Sequence, residues 1–206
     1  MEQLVAPVPP TKSLDRLRTA ARSCRACDLW RLGTQTVFGE GLRSARLMLV
    51  GEQPGDKEDL TGEPFVGPAG EMLDRALEEA GIDRRAAYVT NVVKHFKWKP
   101  RGKRRIHQKP NKAEISACRP WLEAELASVG PRAIVCLGAT AAQALISASF
   151  RVTREHGQVL PSAFGPPIAA TIHPSAILRA PDPEARRAAY ASLVADLRAI
   201  DAAIGA

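Results

Sequence analysis

ARLMLVGEQPGDKEDLTGEPFVGPAG (residues 45–70) runs from an apolar stretch into a Gly- and Pro-rich loop, and a helix follows. Residues 45–52 are nearly continuously apolar, as in a strand buried on both faces of a parallel sheet. After the loop, Leu73, Leu77 and Ala80 recur at helical spacing, and Gly81 supplies a C-terminal stop. The same pattern repeats along the chain. AYVTNVV (87–93), RAIVCLG (132–138) and PIAATIH (167–173) read as three more strands, and RVTREHGQVL (151–160) as an edge hairpin. Helices are predicted from Ser13 to the first cysteine pair, in ATAAQALI, and from Pro183 to Ile200 behind Asp182. Asn111 with Glu114 three residues on opens another helix, which Pro120 either kinks or truly begins. This alternation predicts an α/β fold: a three-layer α/β/α sandwich with a central, mostly parallel four-stranded sheet. Loops at the carboxyl ends of such strands carry the functional site, and 51–70, 91–110 and 173–179 all lie there, in one expected crevice.

The 206 residues fit one domain: a tail at 1–12 and a body at 13–206. With 45% hydrophobic and 25% charged residues, the composition is that of a globular protein and argues against wholesale disorder. No run of 18 apolar residues exists, so no membrane span is expected, and the N-terminus lacks the pattern of a secretion signal. The net charge of +7 is local. Residues 94–112, KHFKWKPRGKRRIHQKPNK, hold nine of the 29 basic residues and no acidic one; the remaining 20 against 22 acidic residues give −2. A basic patch on a slightly acidic body suits a polyanion, most simply nucleic acid. His95, Phe96 and Trp98 interleave aromatic faces with the cations, which favours single-stranded over duplex nucleic acid.

Four cysteines occur: Cys24 and Cys27 as CRAC, then Cys118 and Cys136. The pattern points to a metal or iron–sulfur site more than to disulfides, with zinc or a cubane both open on spacing. Cys136 sits in the apolar run AIVCLG and could equally be a small core hydrophobe.

GEQPG, then GEPFVGPAG, TNVVKHF and HPSAILR, together with the four cysteines, resemble the iron–sulfur uracil-DNA glycosylases of family 4 from Cys24 to the last helix. GEQPGDKED, NVVKHFK and GKRRIH are closer still to the UdgX branch, which captures uracil-DNA covalently. The resemblance implies a uracil-DNA glycosylase fold and a [4Fe–4S] cluster on Cys24, Cys27, Cys118 and Cys136. It implies a uracil pocket of Gly51, Gln53, Asp56, Phe65 and Asn91, in which Phe65 stacks on the flipped base and the Asn91 amide reads the O4/N3–H edge. His173 is then the donor to uracil O2, and Glu52 is associated with the sugar cation or with water. His107 becomes the nucleophile toward C1′, since a neutral imidazole, with an ordinary pKa of about 6.5, is nucleophilic near neutral pH. Lys94, Lys103, Arg104, Arg105 and Ser175 are the DNA contacts, with the two arginines anchoring the loop on phosphates or on the protein.

The expected activity is excision of uracil from preferentially single-stranded DNA by a monomer that becomes linked through His107 to the abasic sugar. A cytoplasmic, nucleoid-associated location goes with it. One alternative is a conventional glycosylase in which Glu52 activates water; the other is a non-catalytic metal-containing nucleic-acid-binding module.

Overall fold

A computed structural model of the chain describes residues 6–205. Four parallel strands, β1 (Leu47–Gly51), β2 (Ala87–Asn91), β5 (Ala133–Leu137) and β6 (Ile168–Thr171), form one sheet in the order β2-β1-β5-β6. A separate antiparallel hairpin pairs β3 (Trp98–Arg101) with β4 (Arg104–His107). Every residue of the four sheet strands is buried, which explains their unbroken apolar runs.

Side chains alternate between two cores because strand residues point to opposite faces. Met48, Val50, Ile134 and Cys136 face one core with helices α1 (Leu14–Ala21), α4 (Lys112–Val129) and α5 (Ala139–Leu145). Leu47, Leu49, Val135 and Leu137 face the other, with α3 (Pro68–Ala80), α7 (Pro174–Leu178) and α8 (Pro183–Gly205). The result is the expected three-layer sandwich, its sheet wholly parallel. Two short helices, α2 (Asp56–Thr61) and α6 (Val152–Glu155), complete the set.

Helix ends follow the predicted chemistry. Asn111 and Glu114 make a reciprocal capping box on α4, and the helix runs through Pro120. Gly81 ends α3 in the left-handed conformation, and Asp182 accepts from the Ala185 amide at the head of α8. Two expectations change. Residues 151–160 are not a hairpin: they hold α6 and a single antiparallel bridge between Leu160 and Ile168. Of the expected tail, residues 1–5 lie outside the described residues, while Ala6 is buried and Val8 packs on the core. No helix among the described residues is long and apolar enough to cross a membrane.

Candidate active site

The carboxyl ends of β1, β2 and β5 meet in register, with Gly51 beside Asn91 and Val50 beside Cys136. A Cβ at Gly51 would stand 2.4 Å from Asn91 Oδ1 and 2.8 Å from Phe65 Cζ, so the missing side chain is what lets the amide and the ring approach. Phe65 is 7% exposed and takes φ 58°, the one described non-glycine residue with a positive φ. Such a backbone costs on the order of 1–3 kcal/mol and persists only where its surroundings fix it. Here Gly70 packs against the Phe65 carbonyl, where a Cβ would collide, and the Glu58 carboxylate accepts from the amides of Gly55, Gly67 and Phe65. Burial of Glu58 nevertheless raises its pKa.

His173 stacks on Phe65 with ring centroids 6.3 Å apart and planes inclined by 27°. Its Nδ1 lies 3.1 Å from the Ser175 amide, which can only donate, so Nδ1 is an acceptor and the ring proton resides on Nε2. Burial holds the His173 pKa down at about 4, and the imidazole is neutral. Ser175 is thereby the orienting partner of His173 through both its amide and its hydroxyl.

Glu52 continues from β1. Its Oε1 is 3.1 Å from His107 Nε2 at the end of β4, and its Oε2 accepts from the Thr140 hydroxyl. Burial raises the Glu52 pKa, but the hydrogen bonds from His107 and Thr140 lead the opposing effects, which outweigh it and leave the carboxyl below its ordinary value. The three expected loops thus come together at the carboxyl edge of the sheet: Phe65 from the first, Asn91 and His107 from the second, His173 from the third.

The hairpin that carries His107 is tied to the body at several points. Gln53 Nε2 donates to the carbonyls of Lys97 and Gln108 at 3.2 and 3.0 Å, and its Oε1 accepts from the Lys97 amide. Trp98 Nε1 donates to the Leu32 carbonyl at 2.7 Å. Arg105 reaches Asp56 and the fully buried Asp59, each at 2.5 Å, and lies over Phe96 and Trp98. These contacts give predicted residues partners within the chain: the Gln53 side chain holds the hairpin, Asp56 is paired with Arg105, and Arg105 anchors on the protein, one of its two expected anchorages. Lys94 is a correction: it is 1% exposed and bonds Glu125 at 2.5 Å, so it is closed off from a DNA backbone. Lys103 and Arg104 are exposed at the hairpin tip, as a phosphate contact requires.

Cys24, Cys27, Cys118 and His95 line one small closed cavity. No group of three or more His, Cys, Asp or Glu among the described residues is arranged to hold a metal ion. The donor set nevertheless has the chemistry of a cluster site. Trp121 Nε1 donates to Cys24 Sγ at 3.2 Å and the Lys94 amide to Cys118 Sγ at 3.3 Å, contacts that favour thiolate. Thr36 spends its one proton on the Ala21 carbonyl at 2.9 Å, so His95 Nε2, 3.0 Å away, is the donor to it and Nδ1 keeps a free lone pair. Burial holds this imidazole neutral, at about 4. Cys136 is absent from that cavity. It is a fully buried residue of β5, raised in pKa by burial alone, whereas Cys24 and Cys27 act electrostatically on Cys118. The side chains gathered at the cavity are thus Cys24, Cys27, Cys118 and His95, and Cys136 lies apart from them on the sheet. The core position of Cys136 was visible in AIVCLG; nothing in the order of residues singled out Thr36 or Thr140, and His95 stood out only as an aromatic ring among the charges.

Residues 38–198 match the family model of the uracil DNA glycosylase superfamily. A type-4 uracil-DNA glycosylase of Pyrobaculum aerophilum is 36% identical over 175 residues, covering 82% of this chain and 86% of the relative. That of Thermotoga maritima is 38% identical over 167 residues, covering 81% and 83%. A type-5 uracil-DNA glycosylase of Pyrobaculum aerophilum is 30% identical over 175 residues, covering 77% and 74%. With the parallel sheet and the side chains gathered at its carboxyl edge, these likenesses make the chain a member of the uracil-DNA glycosylase superfamily.

Proposed function

We propose that the chain excises uracil from DNA, preferring single strands, and is captured on the abasic sugar through His107. The observation that carries the covalent step is the contact of His107 with Glu52 at 3.1 Å, beside the pocket of Phe65, Asn91 and His173. A flipped uracil stacks on Phe65. The Asn91 amide donates to O4 and accepts from N3–H; cytosine presents the opposite polarity there and leaves both groups mismatched. As the C1′–N1 bond breaks, its electron pair leaves with uracil, and the Nε2–H of His173 donates to the O2 that gains charge. The Glu52 carboxylate stabilises the sugar cation. With Nε2–H turned to Glu52, the other ring nitrogen of His107 holds the lone pair that forms the N–C1′ bond. The Nε2 proton then passes to Glu52, and uracil anion takes one from solvent.

Cys24, Cys27, Cys118 and His95 are proposed to hold a [4Fe–4S] cluster. When bound it would supply a cross-link between the N-terminal segment, α4 and the root of the hairpin. Lys103 and Arg104 are the proposed phosphate contacts.

The test mixes the protein with a single-stranded uracil oligonucleotide, beside a thymine control and a duplex, on a denaturing gel. A uracil-dependent band that survives boiling in detergent, lost in His107→Ser, is expected. Free DNA that breaks with alkali would replace covalent capture with ordinary hydrolysis through Glu52, and intact free DNA would overturn the glycosylase reading altogether.

A further inference from the structure

A second concavity, of about 430 Å³, lies between α4 and α5. Its wall is aliphatic, from Val92, Ile115, Leu122 and Leu145. Lys109, Lys112 and Arg119 are the charged residues that line it, with no carboxylate among the lining side chains. Lys109 and Lys112 are exposed and have no acidic partner among the described residues; Arg119 is offset by Glu123 at 2.7 Å. An apolar cleft of this size with a cationic mouth is complementary to a heterocyclic base carrying a phosphate.

The cleft adjoins the active site at Thr140. Thr140, which donates to Glu52, forms part of its wall. Val92 directly follows Asn91, and Lys109 follows His107 by two residues. A strand that delivers a nucleotide to Asn91 and His107 therefore passes the mouth of the cleft. We infer that the cleft receives the nucleotide next to the uracil on the same strand, its base against the aliphatic wall and its phosphate toward Lys109 and Lys112. This rests on the glycosylase reading for the direction of the strand. It makes the site a two-nucleotide reader, in which the neighbouring base contributes to affinity without base-specific hydrogen bonds.

The test measures binding by fluorescence anisotropy, using a dye-labelled single strand with a central 2′-fluoro-2′-deoxyuridine, whose glycosidic bond resists cleavage. Two further strands replace the 5′ or the 3′ neighbour with a tetrahydrofuran spacer, which keeps the phosphate and removes the base. One of the two spacers is expected to raise Kd about 5-fold or more, since burying the base's apolar face on the aliphatic wall contributes on the order of 1 kcal/mol. Ala148→Trp, at an exposed position lining the cleft, is expected to bind the intact strand as weakly as that spacer strand and to lose no more with the spacer. Lys112→Gln is expected to lower the salt dependence by about one phosphate contact. Equal Kd for all three strands, or a spacer effect unchanged in Ala148→Trp, overturns the inference. Uracil release from an ordinary strand is followed separately: its absence would count against the glycosylase reading, while the spacer comparison still judges the cleft.

Discussion

Replacing Arg105 with alanine separates the two activities proposed for this chain, because Arg105 touches the hairpin's anchorage and none of the uracil pocket. Its side chain is 19% exposed, and the guanidinium spans Asp56 and Asp59 at 2.5 Å each. Asp56 is 54% exposed, and a pair so open contributes little. Asp59 is fully buried, and without Arg105 its carboxylate keeps only the Thr34 amide at 2.8 Å as a side-chain partner. Removing one member of a buried pair costs about 3–5 kcal/mol, and the surviving amide sets the lower end, about 3 kcal/mol. A two-stranded hairpin is marginal on its own, so this loss is expected first as detachment of the hairpin. By the usual tenfold per 1.4 kcal/mol, about 3 kcal/mol lowers the attached fraction by up to about 100-fold. Covalent capture, timed by quenching into denaturing gel buffer, is expected to slow by that factor. Alkali-labile sites should still form, since Asn91 and His173 stay at the ends of their strands. Arg105→Lys, with one charge but no fork, falls between. Capture by Arg105→Ala at the parental rate would refute the reasoning, and so would equal loss of capture and uracil release.

Three further outcomes are expected. Lys94→Met leaves Glu125, fully buried and also bonded by Tyr88, Thr90 and the Gly39 amide, without its cation, and should lower stability by about 3 kcal/mol or more in urea denaturation; an unchanged midpoint sinks this assignment. Cys118→Ser and His95→Ala should lower bound iron and sulfide per chain, whereas Cys136→Ala should retain them; loss of iron from Cys136→Ala restores that cysteine as a ligand. His173 has a folded pKa of about 4 against an ordinary value of about 6.5, so folding favours its neutral form. That stability is complete above pH 6.5 and is lost as the pH falls through 6.5 toward 4, on the order of 2 kcal/mol given partial exposure. Urea midpoints across that range should fall less in His173→Asn than in the parent, and parallel curves would contradict the burial argument.

The sheet was legible because each strand is buried along its length, and such strands announce themselves as apolar runs. The caps of α3, α4 and α8 were legible because Gly81, Asn111 with Glu114, and Asp182 act within a few residues of themselves. Residues 151–160 misled because one antiparallel bridge and a four-residue helix leave no periodicity. At the site, residues with a local motif, Phe65, Asn91 and His173, could be picked out and meet at the carboxyl edge of the sheet. Partners fixed by long-range folding could not. That Arg105 would turn inward to Asp59, 46 positions away, or Lys94 to Glu125, 31 away, depends on how the hairpin and α4 pack. The imidazole beside Cys24, Cys27 and Cys118 was hidden for the same reason: it sits amid a run of charges, and only the fold brings it to their cavity.

The backbone at Phe65 carries a consequence for how this molecule can change. Its ring is held by a dihedral angle that few L-residues tolerate, a glycine against its carbonyl and a carboxylate tied to three surrounding amides. The wall of the proposed uracil pocket is therefore finished when the chain folds, before any DNA arrives, and on that reading has little room to yield to a bulkier base. Discrimination of this kind works by refusal of shape as well as by hydrogen bonding. Substituting side chains around the ring will weaken the enzyme sooner than it broadens it. A variant that accepts a larger base has to rebuild the main chain between Gly62 and Gly70.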